Sequence, residues 1–149
     1  MSVEVSAVID CVFDKMKEYE FLRMSREDAE KVLKTYLRPA CTMYSDKRGR
    51  DLSVDNGLET IKQDLTDAEI DILSSYVCIC YIDANYIRTT LTMKPFLSGT
   101  DFHAYQNKAV MEQVQKARQA FKNEVDGSAV IRSYRDKDSD FWKLPRNRR

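Results

Sequence analysis

Along most of this chain apolar residues return every third or fourth position, the spacing of a helix with one buried face. Val5, Val8, Ile9, Val12, Met16 and Tyr19 fall on one stripe, with Ser2, Glu4, Ser6, Asp10, Asp14 and Lys17 opposite. A first amphipathic helix is expected over Val3 to Glu20. Ser25-Arg26-Glu27-Asp28 reads as the capped start of a second helix. Its core face is Ala29, Val32, Leu33, Tyr36, Leu37, Ala40, Cys41 and Tyr44. Pro39 lies inside it and removes the backbone bond to Thr35, so a kink or an early end is expected there.

The segment Leu65 to Met93 has a different character. Thr66-Asp67-Ala68-Glu69 is a capping box, in which the threonine hydroxyl takes the Glu69 amide and the glutamate reaches back to the Thr66 amide. The helix that follows is apolar on nearly every side, through Tyr76-Val77-Cys78-Ile79-Cys80-Tyr81-Ile82. A helix without a polar face has to be covered all round, which predicts a central post. Its β-branched residues suit a strand, but its length and cap decide for a helix. Asp83 and Asn85, late in this helix, are expected to make internal polar contacts, with Arg88 or another subunit as candidate partners.

Between these helices, Ser45 to Asp64 has no clean period and holds two turn signals, Asp46-Lys47-Arg48-Gly49-Arg50 and Asp55-Asn56-Gly57. Its apolar residues Leu52, Val54, Leu58 and Ile61 are expected to anchor it to the body. So long a connection is uncommon in a compact domain and often carries function or touches a neighbour. Lys47, Arg48, Arg50, Leu52 and Val54 are therefore candidate contacts to another subunit.

After a break at Lys94-Pro95-Phe96-Leu97-Ser98-Gly99, a fourth helix is expected from Thr100 or Asp101. Phe102, Tyr105, Ala109, Val110, Ala117, Ala120 and Phe121 form its apolar arc, and the alanines would permit close packing. It should fade near Asp126-Gly127, with Ala129-Val130-Ile131 as a possible extension. The expected fold class is all-α. A four-helix bundle-like domain spans 1–131, with a long loop between the second and third helices, and an extended C-terminal arm spans 132–149.

Charge sharpens that division. The chain has 24 basic and 24 acidic residues, but seven basic residues against three acidic ones give 132–149 a charge of +4. The rest carries −4, a mildly acidic body with a basic arm. The arm also holds Phe141, Leu144 and the only tryptophan, Trp142. Unfolded segments carry few aromatics, so this one is expected to dock on something. Four glycines and three prolines are too few for a many-turned β-sandwich. Met1 is followed by an acidic amphipathic segment, and the apolar run of 70–82 is shorter than the roughly 20 residues that span a bilayer. A cytoplasm, the cell's own or a host's, is the expected compartment.

No catalytic constellation is visible. His103 is the single histidine, and no cysteine or carboxylate stands at a relay or ligand spacing from it. Cys78 and Cys80 point to opposite sides of a helix, so with Cys11 and Cys41 they read as small reduced thiols. No phosphate loop, HExxH or CxxC occurs. The expectation is a non-enzyme without metal or cofactor. Glu69 and Asp71 read as cap and solvated-face acids. The arginines of the arm could neutralise phosphates, but no helix has the basic face of a sequence reader.

Three stretches together carry a resemblance. They are Leu65-Thr66-Asp67-x-Glu69-Ile70-x-Ile72-Leu73, the apolar Val77 to Ile82, and Asp101-Phe102-His103-Ala104-Tyr105 after the break. From Ser25 to Phe121 the chain resembles small structural proteins encoded among the head and neck genes of tailed bacteriophages. It departs from them at Tyr81, where relatives often carry tryptophan, and its arm lies outside the shared pattern. The resemblance implies a head–tail connector, an adaptor or head-completion protein forming a ring with itself, often dodecameric, beneath the portal. Portal protein and a tail-side neck protein would be its partners, with DNA only a non-specific passenger and no membrane involved. It would be assembled in the host cytoplasm and reside in the virion neck. An arm of this kind would dock on the portal through Phe141, Trp142, Leu144, Pro145, Arg146, Arg148 and Arg149. The competing expectation is a small helical regulatory or partner-binding module that uses the same arm.

Overall fold

The computed structural model describes residues 2–16, 21–88 and 101–141, with side chains at 2–16, 21–85 and 111–134. It is mostly helical. The helices are α1 (Val5–Lys15), α2 (Arg26–Lys34), α3 (Leu37–Arg48), α4 (Asp67–Ile82) and α5 (Asp101–Phe141), with a π-helical stretch Asp83–Arg88 continuing α4. Two short strands, β1 (Val3–Glu4) and β2 (Thr60–Ile61), pair antiparallel with Val3 opposite Ile61.

The first helix starts later than its stripe suggests. Val3 and Glu4 are extended against β2, and the Val5 amide continues the pairing to Glu59 O at 2.9 Å. Val5, Val8, Ile9 and Val12 are fully buried, as the stripe requires, and the helix ends at Lys15. Residues 17–20 lie outside the described residues.

The expected second helix is two helices. Ser25 caps α2 by accepting the Asp28 amide at 3.2 Å. The α-helical pattern then lapses at Thr35 and Tyr36, whose amides bond three residues back to Val32 and Leu33. The break thus precedes Pro39 rather than falling on it. The proline sits in the first turn of α3, where no intrahelical amide is needed. At the other end Gly49 adopts φ +69°, and its amide closes on Ser45 O at 2.9 Å. Such a left-handed stop favours glycine.

The segment 50–66 is a pinned hairpin rather than a free loop. Asp55 caps its turn, with Oδ1 accepting the amides of Glu59 and Thr60 at 2.8 and 2.9 Å. Val54 bridges to Ile61, which is fully buried. Periodicity missed these strands because two residues are too few to show an alternation.

Helix α4 is the post. Every residue from Ile72 to Tyr81 is buried, with α1, α3 and α5 packed around it. Its two serines are satisfied locally, Ser74 and Ser75 donating to Asp71 O at 2.7 and 3.0 Å. Tyr81 ends the post between Phe21 and Tyr36, with ring centroids 5.3 and 5.7 Å away. Asn85 donates to the Tyr36 hydroxyl at 3.1 Å, and Asp83 pairs with Arg118 of α5. Both are internal contacts, and the side chain of Arg88 lies outside the described residues. Residues 89–100, including the expected end of this helix and the following break, lie outside the described residues.

The last helix corrects two expectations. It does not fade at Gly127 but runs to Phe141, so 132–141 of the expected extended arm is helical. Nor do Ala117 and Ala120 face the body, and the side chain of Ala109 lies outside the described residues. Ala117 and Ala120 are exposed, and Val125 and Ala129 are the buried contacts instead. At 41 residues α5 is about 60 Å long.

Leu73, central in the post and fully buried, reports on this packing. Leu73→Ala should lower the unfolding free energy by about 2–5 kcal/mol. Urea denaturation followed by circular dichroism measures it, and a loss below about 1 kcal/mol would show that α4 is not enclosed as described.

Candidate functional site

Three polar assemblies hang on α4, and each begins with a residue the helix cannot leave unpartnered. The first is at its start. The capping box forms, and Glu69 Oε2 accepts the Thr66 amide and hydroxyl at 2.9 and 3.1 Å. Glu69 is only 2% exposed, however, and its other oxygen is used as fully. Oε1 accepts from the Tyr44 hydroxyl at 2.9 Å, Arg48 Nη2 at 3.3 Å and Arg50 Nη1 at 3.4 Å. Arg132 of α5 donates to the Thr66 hydroxyl at 3.1 Å, which ties the last helix to the same point.

The electrostatics follow from these partners. Burial alone raises the Glu69 pKa, but the Thr66 amide, the Tyr44 and Thr66 hydroxyls and the Arg50 charge outweigh it, so the carboxyl lies below its ordinary value. Tyr44 moves upward, through burial first and then through its bond to the carboxylate. Both shifts hold Glu69 ionised and Tyr44 protonated. A carboxylate with both oxygens occupied and little access to solvent is a structural anchor rather than a proton-transfer group.

The second assembly joins α3, α4 and α5. The fully buried Tyr76 donates to Asp126 Oδ1 at 2.7 Å, and Asp126 Oδ2 receives Lys122 at 2.8 Å with Lys47 at 3.9 Å. Burial pushes the Asp126 carboxyl up, and the Lys122 and Tyr76 bonds bring it below its ordinary value.

The third is an open cleft of about 400 Å3 between α1, α4 and α5. Ile72, Phe121 and Val125 contribute its apolar surface, and Lys15, Asp71 and Glu124 line it with charge. Lys15 is engaged there, 2.9 Å from Asp71 Oδ1 and 2.6 Å from both Asp71 O and Ser75 Oγ.

The candidate loop contacts mostly turn inward. Arg48 is 6% exposed and paired with Glu69. Arg50 keeps 40% of its side-chain exposure yet bonds Glu69 and Asp64 O. Leu52 and Val54 pack against the core, and Lys47 keeps 44% exposure. In the arm, Phe141 is the last residue of α5. Its side chain, and Trp142, Leu144, Pro145, Arg146, Arg148 and Arg149, lie outside the described residues. So does the side chain of His103, in the first turn of α5.

Cys41, Cys78 and Cys80 are buried and Cys11 is half-buried. Burial pushes the Cys41 and Cys78 thiols up to about 11, so neither is a ready nucleophile. Among the described residues no group of three or more His, Cys, Asp or Glu side chains could hold a metal ion, and no helix is long and apolar enough to cross a membrane.

Glu69 was misread from sequence as a cap and no more. The sequence does place Ala40, Tyr44 and Arg48 four apart on one face of α3, but that spacing does not name the acid that meets the arginine. Compared with known proteins, the chain matches no family model, no curated protein and no solved structure.

Removing the anchor should be costly. Glu69→Ala leaves Arg48 and Tyr44 facing a void, and a loss of about 3–5 kcal/mol is expected by urea denaturation. Because the folded Glu69 pKa is depressed, its stabilisation is complete above the ordinary carboxylate pKa and is lost as pH falls through the folded value. The wild type should therefore lose stability on acidification more steeply than Glu69→Gln, and equal slopes would refute that assignment.

Proposed function

We propose that this protein is a structural, non-enzymatic component of a bacteriophage neck, a subunit of an adaptor ring between portal and tail through which DNA passes. The observation that carries this reading is the resemblance at the openings of two helices that frame the body. Leu65 to Leu73 leads into the post α4, and Asp101-Phe102-His103-Ala104-Tyr105 opens α5.

The shape of α5 supports it. Val125 and Ala129 pack on the body and Arg132 still bonds Thr66, whereas Ile131 and Tyr134 are 57% and 65% exposed, so beyond Ala129 the helix turns an apolar face outward. The basic segment continues from it in sequence. Arg146, Arg148 and Arg149 would meet portal carboxylates in charge-assisted bonds, with Phe141, Trp142, Leu144 and Pro145 as apolar anchors. Docking costs ordering entropy in each subunit, which many simultaneous contacts around a ring offset. Lys47 and Arg50, still partly exposed, are candidate contacts toward a neighbouring subunit or the tail side. A net charge of zero would let DNA pass without being held. The ring would assemble in the host cytoplasm and stay in the virion.

Deleting Asp138–Arg149 tests the reading. Circular dichroism should show the body still folded, while the truncated protein should be missing beneath the portal in particle images. Full occupancy of the neck by the truncated chain would remove the arm from the assignment. Salt-sensitive binding of random duplex DNA by a monomer would favour a small helical partner-binding module instead.

A further inference from the structure

We infer that the cleft between α1, α4 and α5 receives Trp142 from a second copy of this chain. The cleft has room for a large side chain, and its floor is apolar where Ile72 and Val125 are buried beside Phe121. Asp71 and Glu124 are exposed at its rim. Lys15 is engaged with Asp71 and Ser75, so Glu124 is the open charge. An indole is apolar over its faces and donates one hydrogen bond from its edge, which suits an apolar floor under an acidic rim. Lys143 and Arg146 adjoin the tryptophan in sequence and bring positive charge to that rim. The same complementarity holds at large scale, between a body of −4 and a segment 132–149 of +4.

Geometry decides whose tryptophan it is. Ser128, the cleft residue furthest along α5, precedes Phe141, the last described residue of the helix, by thirteen residues. At 1.5 Å per residue that is about 20 Å of helix. Trp142 is the next residue in sequence after Phe141, a reach of about 3.8 Å. A chain cannot seat its own Trp142 in its own cleft, so the occupant comes from another copy. Cleft and tryptophan are different patches, which makes the contact head-to-tail, the type that closes into a ring when the rotation permits. This contact goes beyond the neck assignment and needs no portal; in the assembled ring it takes Trp142 and Arg146 for the neighbouring subunit and leaves Phe141, Leu144, Pro145, Arg148 and Arg149 for the portal.

Trp142 is the only tryptophan, so its emission reports its own surroundings. In the 149-residue chain, emission should move to shorter wavelength in step with self-association measured by sedimentation. Glu124→Arg and Ser128→Arg, both at exposed positions, should each weaken association at least tenfold with an unchanged circular dichroism spectrum. Trp142→Ala should do the same. A mixture is the sharpest arm. Adding W142A chains, which have an intact cleft, should shift the emission of E124R chains, which hold the only tryptophan present. The inference is overturned by a protein that stays monomeric, by association that leaves emission unmoved, or by a mixture without a shift. Short-wavelength emission already in the dilute monomer would overturn it too, in favour of a seat within one chain. None of these readings involves a virion, so failure of the neck assignment would register separately.

Discussion

A helix with no polar face gains nothing from water on any side, and α4 is such a helix over the ten positions from Ile72 to Tyr81. Its burial is favourable only when three other helices close around it, because one exposed flank would return several large side chains to solvent. This requirement orders the molecule. α1 contributes Val5, Val8, Ile9 and Val12, α3 contributes Leu37, Ala40, Cys41 and Tyr44, and α5 contributes Val125 and Ala129. Each side of the enclosure is then fastened by a polar contact from α4 itself. Asp71 and Ser75 hold Lys15 of α1, Glu69 holds Tyr44 and Arg48 of α3, and Tyr76 and Asp83 hold Asp126 and Arg118 of α5.

Glu69 carries the heaviest of these duties. Burying a carboxylate costs several kcal/mol unless its oxygens are satisfied, and here both are. The five contacts come from α3, the segment after it and the start of α4, and Arg132 adds α5 through Thr66. One charge therefore coordinates four parts of the chain. It also draws the segment 50–66 against the body, with Arg50 held between Glu69 and Asp64 O. Basic residues that would otherwise form a patch are used inward. Among the described residues, outward-facing features left for partners include the cleft beside Lys15, the exposed Leu22 and the far part of α5.

That division bears on function. An enclosed post and a saturated ionic anchor make a body that resists rearrangement, which suits an assembly component better than a protein that must open to work. The distal part of α5 has the opposite character. Beyond Ala129 its apolar residues Ile131 and Tyr134 are more than half exposed. Exposed aromatic and branched residues on a projecting helix, followed by tryptophan and arginines in sequence, are the composition of a contact surface.

The sequence alone determined what depends on neighbours in the chain. Apolar spacing located the helical cores, Ser25 and Thr66 marked their starts, and the absence of a polar face identified α4 as the interior element. These are local properties, set by side chains within a turn or two of each other. What the local pattern did not contain was decided by tertiary structure. Pairing of β1 with β2 joins residues far apart in the chain, and neither strand is long enough to show a period. The break at Thr35 and Tyr36 lets α2 pack on α1 while α3 lies on the post, with Pro39 fitting the new helix start. The passage of α5 through Gly127 is held by Asp126 on Tyr76 and Arg132 on Thr66, contacts to residues at least fifty positions away. The role of Glu69 is the clearest case. In sequence it is one half of a helix cap, and only folding brings Tyr44, Arg48 and Arg50 to it, because a buried charge is defined by what surrounds it in space.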